Sequence, residues 1–465
     1  MQAFDAIIVG AGQAGPPLAG RLSAAGQRVC LVERKYFGGT CVNTGCMPTK
    51  ALVASAYAAH LARRGADYGI DVGGVSVDMA RVMQRSHQVT LNARKGVEDW
   101  LRGMDKVTVI QGHARFQDST TLRAGDDLVS APRIFLNVGG RAVVPDIPGI
   151  GAVPVLTNSD IVLLDRTPEH LIVLGGSYIG LEFAQMYRRF GARVTIVEKG
   201  ERLIGREDAD ISDAIRAILE DEGIVVHTGA DIEAVSKVEA GVAVSLKVAG
   251  TAIEVAGSHL LAATGRRPNT DDLGLEAAGV ATDGRGYIQV GDDLQTKVPG
   301  IWAMGDCNGR GAFTHTAYND FEIIAANLLD GQDRKVSDRV TGYALYIDPP
   351  LGRVGLTQAQ AEKTGRPLLV GYRPMTRVGR AVEKGETKGF MKVVADAETK
   401  KILGAAILGT SGDEAIHGML DMINADQPFS TLQWAVPIHP TVSELLPTLL
   451  NEMKPLAHAG QDGGN

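Results

Sequence analysis

The sequence predicts an α/β protein with two Rossmann-like dinucleotide-binding domains and a C-terminal α+β domain. Three observations predict it. A glycine-rich fingerprint follows an apolar run at residues 6–9, and a second one follows the apolar run at 171–174. From about residue 341, strands of alternating pattern lie among helical stretches, which is typical of an antiparallel sheet with helices beside it. The length, 465 residues, is ample for several domains.

The first fingerprint has the full context of a dinucleotide site. Gly10, Gly12 and Gly15 form the G-x-G-x-x-G pattern directly after a strand, and a helical pattern follows at 18–25. Glycines let the backbone approach a pyrophosphate, and the helix N-terminus favours its charge. The next apolar strand ends at Glu33, 23 positions after Gly10. An acid at about this distance binds a ribose hydroxyl, so the pattern predicts a bound dinucleotide.

The second fingerprint repeats this arrangement further along the chain. Gly175 and Gly180 are its outer glycines, and Ser177 replaces the middle one. The returning strand ends at Glu198, again 23 positions after the first glycine. A carboxylate there accepts from a ribose 2′-hydroxyl and repels a 2′-phosphate, which favours NADH over NADPH, although basic side chains lie close by in the sequence. Two such units predict two nucleotide cofactors.

A pair of cysteines ringed by glycine, Cys41 and Cys46, follows the first fingerprint, with Lys50 one short turn later. Cysteines at this separation near a helix start can face each other and form a disulfide that opens and closes. A helix N-terminus also lowers a thiol pKa. The alternatives are two buried core cysteines or half of a zinc site, which would need a second pair that Cys30 and Cys307 do not supply. We interpret the pair as redox-active.

Two further positions carry polar groups suited to chemistry. Asp306 ends a strand, where its carboxylate can accept from a ribityl hydroxyl or cap a helix. His439 has Glu444 five positions later, across a turn that opens a helix. Such a pair orients the imidazole and raises its basicity. A structural role is the alternative for each.

Composition excludes some partners. The formal net charge is −7 and no basic run appears, which argues against nucleic acid. No apolar run approaches the roughly 18 to 20 residues of a membrane span, and the N-terminus lacks the features of a signal peptide. Four cysteines in so long a chain indicate a reducing compartment, so we expect a cytoplasmic protein without a membrane partner. Residues 460–465 are expected to be disordered.

Together these motifs resemble the flavoprotein disulfide reductases, the class I pyridine nucleotide-disulfide oxidoreductases such as dihydrolipoamide dehydrogenase, glutathione reductase and mercuric reductase. The resemblance covers nearly the whole chain. Its matching pieces are residues 10–15, 33, 39–50, 178–182, 263–266, 305–306 and 439–444. It implies an FAD-binding domain with a redox disulfide at 1–147, an NAD(P)-binding domain at 148–270, a return to the FAD domain at 271–340, and a dimerisation domain at 341–465.

The resemblance implies FAD on the first fingerprint and on Asp306, and NADH or NADPH on the second. Lys50 and Glu182 are expected to form an ion pair beside flavin N5. Tyr178 is expected to be an aromatic gate over the nicotinamide pocket. The full set of expected cofactor-binding residues is Gly10, Gly12, Gly15, Glu33, Thr40, Lys50, Gly175, Tyr178, Gly180, Glu198, Gly265 and Asp306.

The resemblance also implies the catalytic groups. Cys46 would lie against the flavin, and Cys41 would be the thiol that exchanges with substrate. His439 and Glu444 would be the acid–base pair that reaches the cysteines of the other subunit of a homodimer. The implied activity is an FAD-dependent NAD(P)H:disulfide oxidoreductase, in which electrons pass from NAD(P)H to FAD, to the Cys41–Cys46 pair and to a small disulfide, or from a dithiol in reverse. No resident metal is expected.

Two alternatives remain at this point. Residues 313–321 and 343–355 resemble the branch of this family that acts on reactive chlorine species, hypothiocyanite or Cu(II), so oxidants or metal ions such as Hg(II) and Cu(II) are alternative substrates. Simple mercuric reduction is disfavoured, since those enzymes typically carry a C-terminal cysteine pair and the last cysteine here is Cys307. The second alternative is a flavin-bound subunit of a larger complex, like the dihydrolipoamide dehydrogenase component.

Overall fold

Two parallel five-stranded sheets form the frame on which the rest of the chain is arranged. The computed structural model describes residues 1–239 and 241–456, so the expectation for 460–465 lies outside the described residues. In spatial order the first sheet contains Ile301–Ala303, Ile134–Leu136, Ala6–Val9, Val29–Glu33 and Val107–Gln111. The second contains Val155–Leu156, His259–Ala262, His170–Leu174, Arg193–Val197 and Val225–His227. Two such units confirm the predicted α/β class.

Helices and small sheets surround the first parallel sheet. Its helices are Gly15–Ala24, Gly39–Thr44, Cys46–Arg63, Met79–Arg102 and Thr314–Leu329. The first begins at Gly15 rather than at residue 18 as predicted, because Pro16 and Pro17 lie in its first turn, where the backbone N–H groups have no helical partner. One small sheet has four strands, which in spatial order are Gln2–Ala3, Asp127–Ser130, Thr121–Ala124 and Ala114–Phe116. The other has two strands, Arg266–Pro268 and Gly140–Ala142.

The second unit is built in the same way. Its helices are Asn158–Ile161, Tyr178–Phe190 and Ala209–Asp221, and an antiparallel sheet of Ala230–Val238, Gly241–Val248 and Thr251–Gly257 packs beside it. The helix Tyr178–Phe190 buries an apolar face against the sheet, with Leu181, Phe183 and Tyr187 almost fully enclosed. This burial fixes the N-terminal end of the helix, where the second fingerprint lies.

The C-terminal part contains a six-stranded antiparallel sheet, as the alternating pattern predicts. In spatial order its strands are Gly342–Leu345, Leu351–Gly355, Ile402–Leu408, Phe390–Asp396, Leu368–Pro374 and Lys454–Pro455. Its helices are Gln358–Glu362, Gly379–Glu383, Gly412–Ala415, His417–Asn424, Ser430–Gln433 and Leu445–Asn451. These short helices are the helical stretches predicted among the strands of this part of the chain. The sheet packs on the second nucleotide unit through Leu345, Leu351 and Leu408.

Candidate active site

A cavity of about 1670 Å³ extends past both fingerprints and the cysteine pair. Most of the residues predicted to bind cofactors or act in catalysis line it. They are Gly10, Gly12, Glu33, Thr40, Cys41, Cys46, Lys50, Gly175, Tyr178, Glu182, Glu198, Gly265 and Asp306. Gly15, Gly180, His439 and Glu444 are not among its lining residues. The fold thus brings residues from both nucleotide units to one continuous space.

The outer glycines of the two fingerprints are required by close backbone contacts. Gly10 has φ +105° and Gly175 has φ +107°. L-residues with a side chain rarely adopt this backbone conformation. A Cβ at Gly10 would overlap the carbonyl of Asn137. A Cβ at Gly15 or Gly180 would overlap the carbonyl of the first glycine of its own fingerprint. Gly15 and Gly180 therefore serve helix–strand packing rather than contact with the cavity.

The two predicted ribose acids occupy equivalent positions. Glu33 Oε2 accepts from the amide of Ala11 at 2.9 Å, and Glu198 Oε2 accepts from the amide of Gly176 at 2.5 Å. In each case Oε1 accepts from the amide two residues after the acid, at 2.8 and 2.6 Å. A carboxylate oxygen has a second lone pair. Both carboxylates can therefore accept from a ribose hydroxyl while their hydrogen bonds to backbone amides hold the fingerprint loop in place.

Asp306 lies on the 3₁₀ turn Gly305–Asn308 at the same cavity. Burial raises the pKa of its carboxyl, and Arg266 Nε lies 3.6 Å from its Oδ2. The turn is held by Asp320, whose buried Oδ2 accepts from the amide of Gly305 at 2.8 Å and whose other oxygen pairs with Arg339. Asp320 was not predicted from sequence, although it lies within the unusual segment 313–321.

The structure holds Cys41 and Cys46 as two thiols on neighbouring helices, Cys41 within Gly39–Thr44 and Cys46 as the first residue of Cys46–Arg63. A hydrogen bond from the Cys41 thiol lowers the pKa of Cys46 to about 6, and Thr314 and the Lys50 charge act in the same direction. Thr314 Oγ1 lies 3.3 Å from Cys46 Sγ. The same hydrogen bond, with burial, raises the pKa of Cys41. These pKa directions favour Cys46 as the thiolate of the pair and Cys41 as the thiol that donates to it.

Lys50 and Glu182, which were expected to pair beside flavin N5, form an ion pair. Lys50 Nζ lies 2.6 Å from Oε2 of the buried Glu182, although 132 residues separate them. Tyr346 completes the arrangement, since its amide donates to Glu182 Oε1 at 3.0 Å and its ring centroid is 4.5 Å from Lys50 Nζ. The pair joins the helix of Cys46 to the helix of the second fingerprint. Thr314 and Tyr346 lie within the segments 313–321 and 343–355 that the sequence analysis singled out, but neither residue was predicted to lie at the cysteines or at the ion pair.

Tyr178 is the first residue of the second fingerprint helix, and its ring lines the cavity. The ring stands edge-on to Tyr343 and to Phe313, with centroid distances of 5.4 and 6.0 Å. Burial raises the pKa of its hydroxyl to about 12, so it stays protonated at neutral pH. The ring therefore occupies space between the two nucleotide units.

His439 and Glu444 form their pair away from the cavity of their own chain. His439 Nδ1 lies 2.8 Å from Glu444 Oε2, and the histidine side chain is 79% exposed while the glutamate is only 14% exposed. Three large apolar side chains of the same segment, Trp434, Val436 and Ile438, are also exposed. Because an exposed apolar segment is typical of an interaction surface, this arrangement fits an imidazole presented to another subunit.

The described part of the chain offers neither a metal cluster nor a membrane-spanning helix. No group of three or more His, Cys, Asp and Glu side chains within 1–239 and 241–456 could hold a metal ion. No helix among the same residues is long and apolar enough to cross a membrane.

Two dinucleotide-binding units around a thiol pair define a flavin- and pyridine-nucleotide-dependent oxidoreductase. The sequence model of the pyridine nucleotide-disulphide oxidoreductase family matches residues 4–320, and the model of that family's dimerisation domain matches residues 341–450. The chain therefore belongs to this family. It is an NAD(P)H-dependent flavoprotein oxidoreductase, and the second match supports a homodimer.

Its relatives span several activities of this family. The probable pyridine nucleotide-disulfide oxidoreductase RclA of Escherichia coli is 37% identical over 98% of this chain and 100% of its own. A dihydrolipoyl dehydrogenase of Chlorobaculum tepidum is 34% identical over 95% of both chains. A mercuric reductase of Bacillus cereus is 32% identical over 89% of this chain and 66% of its own.

Solved structures of Escherichia coli RclA have the same fold. RclA, described as an HOCl-induced flavoprotein disulfide reductase, superposes with a TM-score of 0.87 at 36% identity, over 96% of this chain and 99% of its own. Its Cu(II) complex superposes with a TM-score of 0.88 at 36% identity, over 97% of this chain and 99% of its own.

Proposed function

We propose that the protein reduces a small disulfide with electrons from NAD(P)H, through FAD and the Cys41–Cys46 pair, with His439 of the partner subunit as acid and base. The asymmetry of the cysteine pair carries this proposal. One thiol has a lowered pKa beside Lys50, and the other is kept protonated by donating to it. A pair of inert core cysteines would have no such polarisation.

The residues of the first fingerprint fit FAD. The space between Gly12 and Gly39 has no room for a side chain, because a Cβ at Gly39 would lie 2.8 Å from Gly12 Cα. We assign Gly10, Gly12 and Thr40 to the pyrophosphate region, Glu33 to the ribose and Asp306 to the ribityl chain. Bound FAD would supply the hydride-accepting chemistry that links NAD(P)H to the cysteine disulfide.

The chain's own residues carry the thiol chemistry. Because the pKa of Cys41 is raised, this thiol needs a base, and the imidazole of His439, oriented by Glu444, accepts its proton. The Cys41 thiolate attacks one sulfur of the substrate disulfide, and the leaving thiolate takes the proton from His439. The Cys46 thiolate then attacks the Cys41 sulfur, which forms the Cys41–Cys46 disulfide and expels the second substrate sulfur as a thiolate that takes its proton from solvent. The substrate gains two electrons and two protons in the full cycle.

A panel of electron acceptors tests this proposal with the FAD-loaded homodimer. Glutathione disulfide, lipoamide, Cu(II), Hg(II) and an organic chloramine would each be supplied with NADH. Turnover of a disulfide that is lost in Cys41→Ser supports the proposal. Absence of turnover with every disulfide in the panel would count against it.

Reduction of Cu(II) or of a reactive chlorine species is the second candidate function. The likeness to RclA favours it, because it spans nearly the whole of both chains and RclA is described as HOCl-induced and has a solved Cu(II) complex. In the same panel, rapid Cu(II) turnover that survives His439→Ala would favour this candidate, since reduction of a metal ion needs no proton for a leaving thiol.

The lowered pKa of Cys46 predicts how the charge-transfer absorption of its thiolate depends on pH. Because the lowered value is about 6, Cys46 is a thiolate above pH 6 and becomes protonated below it. In Cys41→Ser, which keeps a hydroxyl donor, we expect thiolate-to-flavin charge-transfer absorption to be present at pH 7 and to fade with a midpoint near pH 6. In Cys41→Ala, which removes the donor, we expect the midpoint to rise by about one unit or more. Equal midpoints in both variants, near 9, would contradict the assignment.

Nucleotide preference rests on Glu198. We propose that NADH is preferred, because the Glu198 carboxylate is fixed by two amides at the second fingerprint and repels a 2′-phosphate. Lys199 and Arg206 line the same cavity and oppose this preference in part. We expect Glu198→Ala to lower the ratio of kcat/KM for NADH over NADPH by about tenfold. Steady-state rates with both nucleotides measure this, with Lys199→Ala as the control that should move the ratio the other way. A wild-type enzyme that prefers NADPH would refute the assignment.

We also place the enzyme in the cytoplasm. A cysteine pair that must return to the dithiol in every cycle suits a reducing compartment, and the other two cysteines, Cys30 and Cys307, are fully buried. Fractionation of cells that express the protein would test this placement.

A further inference from the structure

Three nearly parallel rings form a stack beside Tyr178. The ring centroids of His315 and Phe313 are 5.4 Å apart with an interplanar angle of 11°, and those of Phe313 and Tyr343 are 5.6 Å apart at 14°. The stack joins the start of the helix Thr314–Leu329 to the first strand of the C-terminal sheet. His315 Nε2 lies 2.7 Å from the carbonyl oxygen of Gly342, which fixes the outer ring of the stack.

The Tyr178 ring rests against this stack. It stands at 82° to Tyr343 and at 89° to Phe313, so it meets both rings in the edge-to-face arrangement that aromatic pairs favour. Tyr178 also lines the cavity. The position of its ring against the stack therefore determines how much of the cavity the ring occupies.

A buried ion pair holds the Tyr343 end of the stack. The Tyr343 hydroxyl donates to Glu207 Oε1 at 2.5 Å, and Arg353 Nε donates to Glu207 Oε2 at 3.0 Å. The side chains of Glu207 and Arg353 are 0% and 2% exposed. Since a buried carboxylate paired in this way has little freedom to move, it fixes the Tyr343 hydroxyl and with it the tilt of the ring.

We infer that Tyr343, anchored by Glu207 and Arg353, is a positioning residue that holds the Tyr178 ring in its resting place and so controls access of the nicotinamide to its pocket. The inference rests on the proposed function and on the role of aromatic gate that the family resemblance implies for Tyr178. A nicotinamide that enters must displace the ring from the stack, and breaking the edge-to-face packing in that step weakens nucleotide binding. Replacement of Tyr343 by a residue without a ring therefore favours the displaced position of the Tyr178 ring and tightens nucleotide binding.

The test compares Tyr343→Val, Tyr343→Phe, Tyr178→Ala and the double variant Tyr178→Ala/Tyr343→Val in the FAD-loaded homodimer. Titration calorimetry gives the Kd of NAD⁺ (or of NADP⁺ if NADPH is preferred), and initial rates give KM and kcat for the reduced nucleotide. We expect Tyr343→Val to lower Kd and KM about three- to tenfold with a smaller change in kcat. Tyr343→Phe keeps the ring but loses the anchor, so we expect a smaller shift in the same direction.

The double variant separates positioning from a general structural effect. If Tyr343 acts through Tyr178, its replacement changes Kd little once Tyr178 is already alanine. Tyr372→Val is the matched control, because Tyr372 packs against Phe390 in the same sheet with ring centroids 4.8 Å apart, and we expect it to leave Kd unchanged.

Failure of the gate and failure of the positioning role give different results. Unchanged Kd and KM in Tyr178→Ala would refute the gate itself, whereas multiplicative effects of the two substitutions, or no effect of Tyr343→Val, would refute the positioning role alone.

Discussion

Replacing Cys46 by serine is expected to abolish NAD(P)H-dependent disulfide reduction, with kcat falling on the order of a thousandfold or more. The cause is specific to this thiol. Cys46 has the lowered pKa, and it lies beside Thr314 and close to the charge of Lys50. We therefore propose that it is the sulfur that resolves the substrate adduct on Cys41. A serine hydroxyl is not ionised at neutral pH and cannot perform this displacement. Stopped-flow and steady-state assays on the FAD-loaded protein measure the loss.

Two further cysteine variants make this prediction specific. Cys41→Ser should also stop turnover but keep the charge-transfer absorption of the Cys46 thiolate, because it removes only the exchanging sulfur. Cys30→Ala should retain activity, since Cys30 is a fully buried residue in the middle of a strand. Direct flavin reduction and unchanged acceptor turnover in Cys46→Ser would sink the disulfide mechanism and favour direct reduction of an oxidant or a metal ion.

The nucleotide fingerprints could be predicted because their interactions are local. Each unit closes within about 25 residues, from the first glycine through the helix to the acid that returns to bind the loop amides, as with Gly175 and Glu198. Strand, turn and helix signals in such a window depend little on the rest of the chain. The same holds for His439 and Glu444, which are separated by a single turn.

The supports of the site could not be predicted from local patterns. Glu207 and Tyr343 are 136 residues apart, and Cys46 and Thr314 are 268 apart, so only tertiary packing shows that they meet. Lys50 and Glu182 were expected as a pair through the family resemblance alone. Thr314 also lowers the pKa of both thiols from its distant place in the sequence, an effect that no local pattern indicates.

Replacing His439 by alanine is expected to lower kcat for disulfide reduction by about 10² to 10⁴, the usual effect of losing a general acid–base. The Cys41 thiol, with its raised pKa, would lose its base, and the leaving thiol would lose its proton donor. Reduction of the flavin by NADH should be nearly unchanged, because His439 is exposed and does not line the cavity of its own chain. Glu444→Gln, which keeps the shape but weakens the orientation of the imidazole, should give a smaller loss. Equal losses in flavin reduction and in turnover would contradict this role.

Mixed dimers show which subunit's cysteines His439 serves. A hybrid of one Cys41→Ser subunit and one His439→Ala subunit has two different sites. If the imidazole crosses the interface, the site with the intact cysteines receives the intact histidine of the partner, and the hybrid regains about half of the wild-type activity. If the imidazole serves its own chain, each site of the hybrid lacks one group and activity stays at the level of the parents. Because His439 is presented on an exposed apolar segment, we expect the first outcome.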